Sequence, residues 1–519
     1  MMFRHFHFPL LALLLIPVAS LCQTSSMPPS TLKDHSSSLR NLVPANWWQT
    51  TAGLKIMTLK PNRENYGEVL SPDPQRASIQ LEEISAAGFQ AIEIFAPAEG
   101  LYAYSGLDTR DFYTIDRKIG TMDDFRRLVR IAHSKGLAVV IFLNVGYFSV
   151  EAPDFLEACR DKKANRNSEK AKWFFWADRS DAPPPGPEDN HFLIAGLPPG
   201  DPDIRPKTWG WQYSELAGSY YWARWEAKTK DGKAVGLPQT NWGGSEWPKE
   251  ANRIIRFWMD TGLDGMLIDA PVYYAGMTWE KNDRNITGLI RSYGNTMAQP
   301  EGGRDVAWVT EGGYNCMQDY GLRYWGNKWA DDWPKNSILN AINTGDTRPI
   351  EESLRNYHDI IAAAGGVLYQ KVTDYYYKEP EKRHLAMASV AAVGDLVVYL
   401  GNYFRTDMVA MPDVEEQWVL RTKALHPALQ QLSTRRQLPT NADDRFYAFL
   451  RTAADRSERV LVVMNFQKEP QKIQIDMSGV AASSLVELKS GELLPRQATM
   501  TLEVPAFGYR FYQVLPVEQ

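Results

Sequence analysis

Three cysteines in 519 residues are too few for a disulfide framework, and no CxxC or HExxH spacing offers a metal site. Cys22 falls in the N-terminal leader, which leaves Cys159 and Cys316, both expected as buried thiols. Charge of one sign is missing too. Lys+Arg 57 against Asp+Glu 62 leaves −5, a balance that points away from nucleic acid and from an anionic membrane surface. There is no Gly-rich phosphate loop. No run reaches the ~20 residues of a membrane span. The apolar run from Phe8 to Leu21 falls short of that length; Arg4, His5 and His7 precede it, and Ala19 and Ser20 lie at its end. It reads as a signal peptide over residues 1–22, which predicts an exported protein, periplasmic or secreted. A lipidated Cys22 is the alternative, and Leu21 is a poor residue before such a cysteine.

What is present is a long alternation of apolar runs and amphipathic stretches. After a Ser-, Pro- and Lys-rich lead-in at 23–45, GLKIMTL (53–59), AIEIF (91–95) and LAVVIFL (137–143) read as strands buried on both faces. Thr121 and Asp124 open a helix with Phe125, Leu128, Val129 and Ala132 at i, i+3, i+4 and i+7, and Gly136 ends it. Strands follow at 266–268, 306–310, 367–372 and 396–400. A sixth is expected near Ser337–Asn343. About eight β-then-α units imply a closed parallel barrel.

Two regions break the rhythm. Residues 148–245 are long and Pro-rich, and with the next two residues they hold eight of the 17 tryptophans, read more as packing than as a sugar platform. After about residue 430 only strands remain. The expected architecture is therefore a (β/α)8 TIM barrel (46–428) with an inserted subdomain after strand 3 (148–245) and a C-terminal antiparallel β-sandwich (429–519).

The active site of such a barrel lies at the C-terminal ends of its strands. Asp269 closes DGMLID, Glu311 closes VAWVTE and Asp374 closes LYQKVTD, three acids on three strands that share one mouth. Retaining glycosidases need two carboxylates ~5–5.5 Å apart, one attacking the anomeric carbon and one protonating the leaving oxygen. A third can stabilise the developing positive charge. Tyr104, Tyr147 and Tyr375 are the candidate sugar contacts. His133 and His384 lie in helical stretches and read as structural.

At this point the residues resemble the α-amylase-type glycoside hydrolases. YSGLDTRDFYTIDRKIGTMDDFRRLVRIAHSKGLAVVIFLNV (104–145) resembles the segment between the second and third barrel strands. LPQTNWGGSEWPKEANRIIRFWMDTGLDGMLIDAP (237–271) is similar to the approach to the nucleophile, and RVLVVMNF…GYRFY to the trailing β-sandwich. The resemblance spans roughly residues 47–515. It implies Asp269 as nucleophile, Glu311 as general acid/base and Asp374 as transition-state stabiliser, with Asp346 in NTGDTR a rival for the third role. It also implies an oligosaccharide or polysaccharide substrate with α-linked glucose.

The departures from the family pattern are specific. Leu267 replaces the Arg two residues before the nucleophile; Phe142, Gly146 and Tyr147 replace an Asp and an Asn-His; Leu107 replaces a Tyr and Thr373 a His. Without the Arg, Asp269 is expected to keep its proton to higher pH unless another cation substitutes. No cofactor is implied, and the missing Asn counts against the calcium site of many members. Two functions follow: an active retaining α-glycosidase or transglycosidase with a divergent sugar-binding shell, or a non-catalytic carbohydrate-binding protein on a decayed barrel.

Overall fold

Largely apolar runs have little to offer water on either face, and here they form the interior sheet of the protein. A computed structural model describes residues 40–44, 46–60, 68–100, 107–185, 208–229, 231–269, 307–310, 338–355, 369–372, 379–399 and 411–517. Seven of its strands are β1 (Gly53–Thr58), β2 (Ala91–Phe95), β3 (Ala138–Leu143), β4 (Gly265–Ile268), β5 (Ala307–Thr310), β6 (Tyr369–Val372) and β7 (Leu396–Tyr399). They pair in the order β5-β4-β3-β2-β1-β7-β6. Every pairing along this path is parallel, with Leu54 opposite Ala91, Ala91 opposite Ala138, Val140 opposite Gly265 and Gly53 opposite Val397. The first strand thus lies between the second and the last, as it must when a sheet closes on itself into a (β/α)8 barrel. The start of β4 needs glycine: a Cβ on Gly265 would stand 2.8 Å from the Ala307 carbonyl oxygen.

The helices follow from their caps and stripes. α1 (Pro74–Ala86) starts on Asp73, whose carboxylate accepts from Arg76 N–H at 2.8 Å. α2 (Met122–Ser134) carries the full Thr121/Asp124 capping box, and Phe125, Leu128, Val129 and Ala132 are buried as the spacing predicts. α3 (Pro153–Lys163) belongs to the insertion. α4 (Glu246–Met259) buries Trp247, Ala251, Ile254, Ile255 and Trp258. α5 (Ile338–Thr344) lies where the sixth strand was expected, and that expectation is wrong. Ile338, Ala341 and Ile342 recur at i, i+3 and i+4, a helical spacing that a short apolar run conceals. α6 (Pro380–Val393) is buried along most of its length and ends at Gly394, whose φ of 97° a residue with a Cβ rarely adopts. α7 (Val414–Leu425) opens on an Asp413/Glu416 capping box.

The insertion folds as a small antiparallel sheet, with Gly210–Ser214, Trp176–Ala177 and Ala234–Pro238 all pairing with Ser219–Lys228. Of its tryptophans, 173, 222, 242 and 247 are buried and the described others are partly so. Trp173, Trp176 and Trp247 pack on Phe148, Phe155 or Phe174, and Trp209 meets Trp225 as Trp211 meets Trp222, so packing is their main work.

The C-terminal strands are β8 (Thr434–Leu438), β9 (Phe446–Thr452), β10 (Arg459–Asn465), β11 (Gln471–Asp476), β12 (Ser484–Glu487), β13 (Leu493–Pro495), β14 (Thr499–Val504) and β15 (Tyr509–Leu515). They form a six-stranded sheet, β8-β9-β10-β15-β12-β13, and a two-stranded sheet, β11-β14. One face of the larger sheet shares a core with β11 and β14. Its other face, with Tyr447, Phe449, Val462 and Phe511, joins the core that contains α6 and α7. Arg451 bolts this junction. Its buried guanidinium donates to the carbonyls of Gln430 (2.7 Å), Val393 (2.9 Å) and Ala428 (3.1 Å).

Candidate active site

Side chains alternate across a strand, so one known position orients its neighbours. In β4, Leu267 belongs to the cluster inside the barrel and Ile268 to the cluster outside it. Asp269 therefore turns inward. It is 6% exposed, and its N–H donates to the Leu143 carbonyl at 3.0 Å, extending the β3–β4 ladder by one residue. This is the strand-end acid that the sequence singles out, inside the barrel at its C-terminal end.

The floor beside it is hydrocarbon. Phe95, Ala96, Leu107, Phe142 and Leu267 share one buried cluster, and the Phe95 and Phe142 rings stand 4.5 Å apart at 31°. Leu107 and Leu267, where the resemblance calls for Tyr and Arg, thus belong to one apolar cluster.

Three polar residues at this end escaped the sequence reading. Asn144, two places before Gly146, donates from Nδ2 to the Leu107 carbonyl at 2.6 Å and accepts from Gly146 N–H at 3.0 Å. It fastens the 107–109 segment across the end of β3. Glu93 lies between Ala91 and Phe95 on the inward side of β2, level with Ile56 and Val140, and is fully buried. Lys60, just past β1, is 1% exposed and donates to the Ala98 carbonyl. Burial pushes its pKa down to about 8, against the pull of Asp108, Asp116 and Glu99. A charged residue within or just after a largely apolar strand is the signal for Glu93 and Lys60.

Tyr147 is 0% exposed and packs edge-on against Trp225 at 6.3 Å, with its backbone bridged to Gln239. It presents no open ring face for a sugar; the Trp-rich insertion covers it. Asp346 is not at a strand end. It sits in the turn after α5, paired with Arg348 at 2.6 Å, and that bond holds its carboxyl below the usual range. The same turn is tied to the sandwich through Thr347 to Asp443 and Gln467 to Gly345. Asp346 therefore drops out as the third acid. Glu311, Asp374, Tyr104 and Tyr375 lie outside the described residues, as do Thr373, Cys316 and the leader.

The remaining candidates are structural. His133 bonds Asp264 at 2.7 Å and His384 bonds Asp413 at 2.7 Å, each joining a helix to its neighbour. Cys159 is buried, which pushes its thiol up to about 11. Among the described residues no cluster of His, Cys, Asp and Glu is arranged to hold a metal. Two grooves, of about 280 and 470 Å³, open where α5 and the following turn meet the sandwich, lined by residues such as Lys382 and Phe507 or Glu351 and Asp443. Neither contains a strand-end acid.

Comparison with known proteins points to one family. Residues 80–311 match the profile of the alpha amylase catalytic domain, and residues 436–511 match the maltogenic amylase C-terminal domain. Over these two stretches the chain is similar to the α-amylase family. The first match runs through Asp269 and ends on Glu311; Asp374 lies between the two matches. An alpha-glucosidase of Schizosaccharomyces pombe is 24% identical over 228 residues, covering 43% of this chain and 35% of that one. An oligo-1,6-glucosidase of Heyndrickxia coagulans is 28% identical over 190 residues, covering 37% of this chain and 30% of that one. The aligned stretch thus spans about a third of these relatives' length. An alpha-amylase from H.orenii superposes with a TM-score of 0.64 over 90% of this chain and 99% of its own, at 17% identity, a likeness of fold.

Proposed function

We propose that this protein is an α-amylase-family retaining glycoside hydrolase of α-linked glucosides, of maltooligosaccharide or α-glucan type. The observation that carries the reading is Asp269, buried and turned inward at the C-terminal end of β4 within the segment that matches the catalytic domain. In the proposed reaction the Asp269 carboxylate attacks the anomeric carbon while Glu311 protonates the leaving glycosidic oxygen. Water, deprotonated by the same Glu311, then displaces the ester oxygen and releases Asp269. Asp374 stabilises the oxocarbenium-like charge. A sugar hydroxyl in place of water makes the same site a transglycosidase. The hydrocarbon floor replaces polar grips beside the cleaved bond, so substrate rules are set by shape more than by hydrogen bonds there.

We further propose that residues 1–22 direct export and that turnover needs no cofactor. Among the described residues no helix is long and apolar enough to cross a membrane. The N-terminus of the processed protein and the effect of a chelator test these two points.

Leu107 and Leu267 favour one second reading, a carbohydrate-binding protein that no longer turns over its ligand. The test is a screen of the processed protein on maltooligosaccharides, isomaltose, trehalose, sucrose and aryl α-glucosides, beside Asp269→Asn. Turnover that falls at least ~1,000-fold in the variant is the expected result. Saturable glycan binding with no turnover in the unaltered protein would establish the second reading instead.

A further inference from the structure

The groove of about 280 Å³ between the end of α5 and the sandwich has walls that one buried side chain holds in place. Asn465, the last residue of β10, is 0% exposed. Its Nδ2 donates to the carbonyls of Pro505 (2.7 Å) and Glu469 (2.9 Å), and its Oδ1 accepts the N–H of Gln467 at 3.0 Å. The loop after β10 is thereby fixed to the loop after β14, and the N–H of Phe507 adds a bond to the Gln467 carbonyl at 2.9 Å. A buried polar group bonded in this way makes its surroundings rigid. Gln467 also donates from Nε2 to the Gly345 carbonyl, in the turn after α5, at 2.8 Å. It lines the groove with the amides of Asn343 and Gln471, and no described residue donates to its Oε1.

The same walls carry a strained aromatic. Phe507 has φ 42°, a left-handed conformation that a bulky residue rarely adopts. Such strain persists where the surroundings over-determine it, and it collects at ligand clamps. The ring is partly buried at the groove, with Lys382 Nζ 5.2 Å from its centroid. The nearby charges are already engaged. Lys382 meets Glu379 at 3.6 Å, Arg445 stands over Phe446 at 5.5 Å, and Lys468 has Glu469 beside it in the chain. A rigid lining of three amides and one ring, with little uncompensated charge, suits a neutral polyhydroxylated ligand better than an anion. We propose that this groove is a second carbohydrate-binding site: it takes a segment of α-glucan, with a C–H face of one sugar on Phe507 and its hydroxyls on Asn343, Gln467 and Gln471. The choice of α-glucan rests on the hydrolase reading above. A polymer held here keeps its other segments at high effective concentration near the barrel.

The test compares the purified protein with Phe507→Gly, Asn343→Ala and Lys382→Met. Glycine takes the left-handed backbone freely, so Phe507→Gly removes ring and strain together. Maltoheptaose is titrated calorimetrically into each on an Asp269→Asn background, and turnover of soluble starch and of an aryl α-glucoside is measured with Asp269 intact. Phe507→Gly should lose one class of maltoheptaose site or bind there roughly tenfold more weakly, and Asn343→Ala should weaken the same class. KM for starch should rise, while kcat/KM for the aryl α-glucoside stays within about twofold. Lys382→Met should hold maltoheptaose within about twofold. Maltoheptaose binding that a folded Phe507→Gly leaves unchanged would overturn the proposal, and so would aryl α-glucoside turnover that falls as far as starch turnover. Inorganic phosphate that displaces maltoheptaose here, with binding lost in Lys382→Met, would make this an anion site and overturn it too. If Phe507→Gly does not fold, Asn343→Ala decides by the same readings. Absence of any Asp269-dependent turnover sinks the hydrolase reading itself, and the titration still decides the groove.

Discussion

Putting arginine back at position 267 should harm this protein. Leu267 is fully buried, with Phe142 and Val309 as its strand neighbours and Phe95 and Leu107 in the same cluster. Leu267→Arg forfeits the burial of a leucine, about 2 kcal/mol, and forces a longer side chain into a filled space. It also buries a guanidinium, and an uncompensated buried charge costs about 3–5 kcal/mol. Pairing with Asp269 or Glu93 would return part of this, so we expect a net loss of about 4 kcal/mol. The control is Leu267→Met, a volume-conserving exchange that should cost less than about 1.5 kcal/mol. Differential scanning fluorimetry on both, with kcat/KM beside it, is the assay. For a protein of this size a fall in Tm of several degrees in the Arg variant alone is the expected pattern. An Arg variant with unchanged Tm and faster turnover would refute the reasoning, because it would show that the mouth still keeps a place for the guanidinium.

Two further outcomes follow from buried polar groups. Asn144→Ala removes the bonds to Leu107 and Gly146 and should cost about 2 kcal/mol of stability, while kcat falls more than KM rises because the 107–109 segment is released; an unchanged kcat in the folded variant would contradict this. Lys423 is fully buried, and burial, aided by Arg451, pushes its pKa down to about 7. The unfolded chain then holds the Lys423 proton between about pH 7 and 10.5 while the folded one releases it, so this group's penalty is full below pH 7 and fades as pH rises. Lys423→Met should therefore gain most relative to the unaltered protein near pH 6, and that advantage should shrink toward pH 10 in denaturant titrations.

Much of the barrel is legible because its first strands are largely apolar and its helices carry explicit starts, such as Thr121 with Asp124. The segment at 338–344 reads as a strand because seven residues with four apolar positions satisfy a strand and a helix equally well, and its length does not arbitrate. The strands of the insertion were hidden behind its composition, since SYYWARWEAK advertises aromatics more loudly than alternation. At the site, Asp269 stood out as an acid closing an apolar run. Lys60, Asn144 and Glu93 did not: Glu93 lies within its strand, and Lys60 and Asn144 are a cation and an amide where strand ends draw notice for acids. Tyr147 invites a sugar role by its ring and its place after β3, but nothing in the sequence reveals that the insertion folds over it.

The six-stranded sheet has an apolar face on each side, one toward β11 and β14 and one toward α6 and α7. This has a consequence for modularity. A sandwich with a polar outer wall can be lent from one gene to another and will fold beside any neighbour. This one cannot, because severing the chain near residue 429 would uncover Tyr447, Phe449, Val462 and Phe511 together and strip Arg451 of the Val393 carbonyl. Barrel and sandwich are therefore inherited as one article: a change on the outward side of α6 has to be answered on β10 or β15, and the pair diverges in step or not at all.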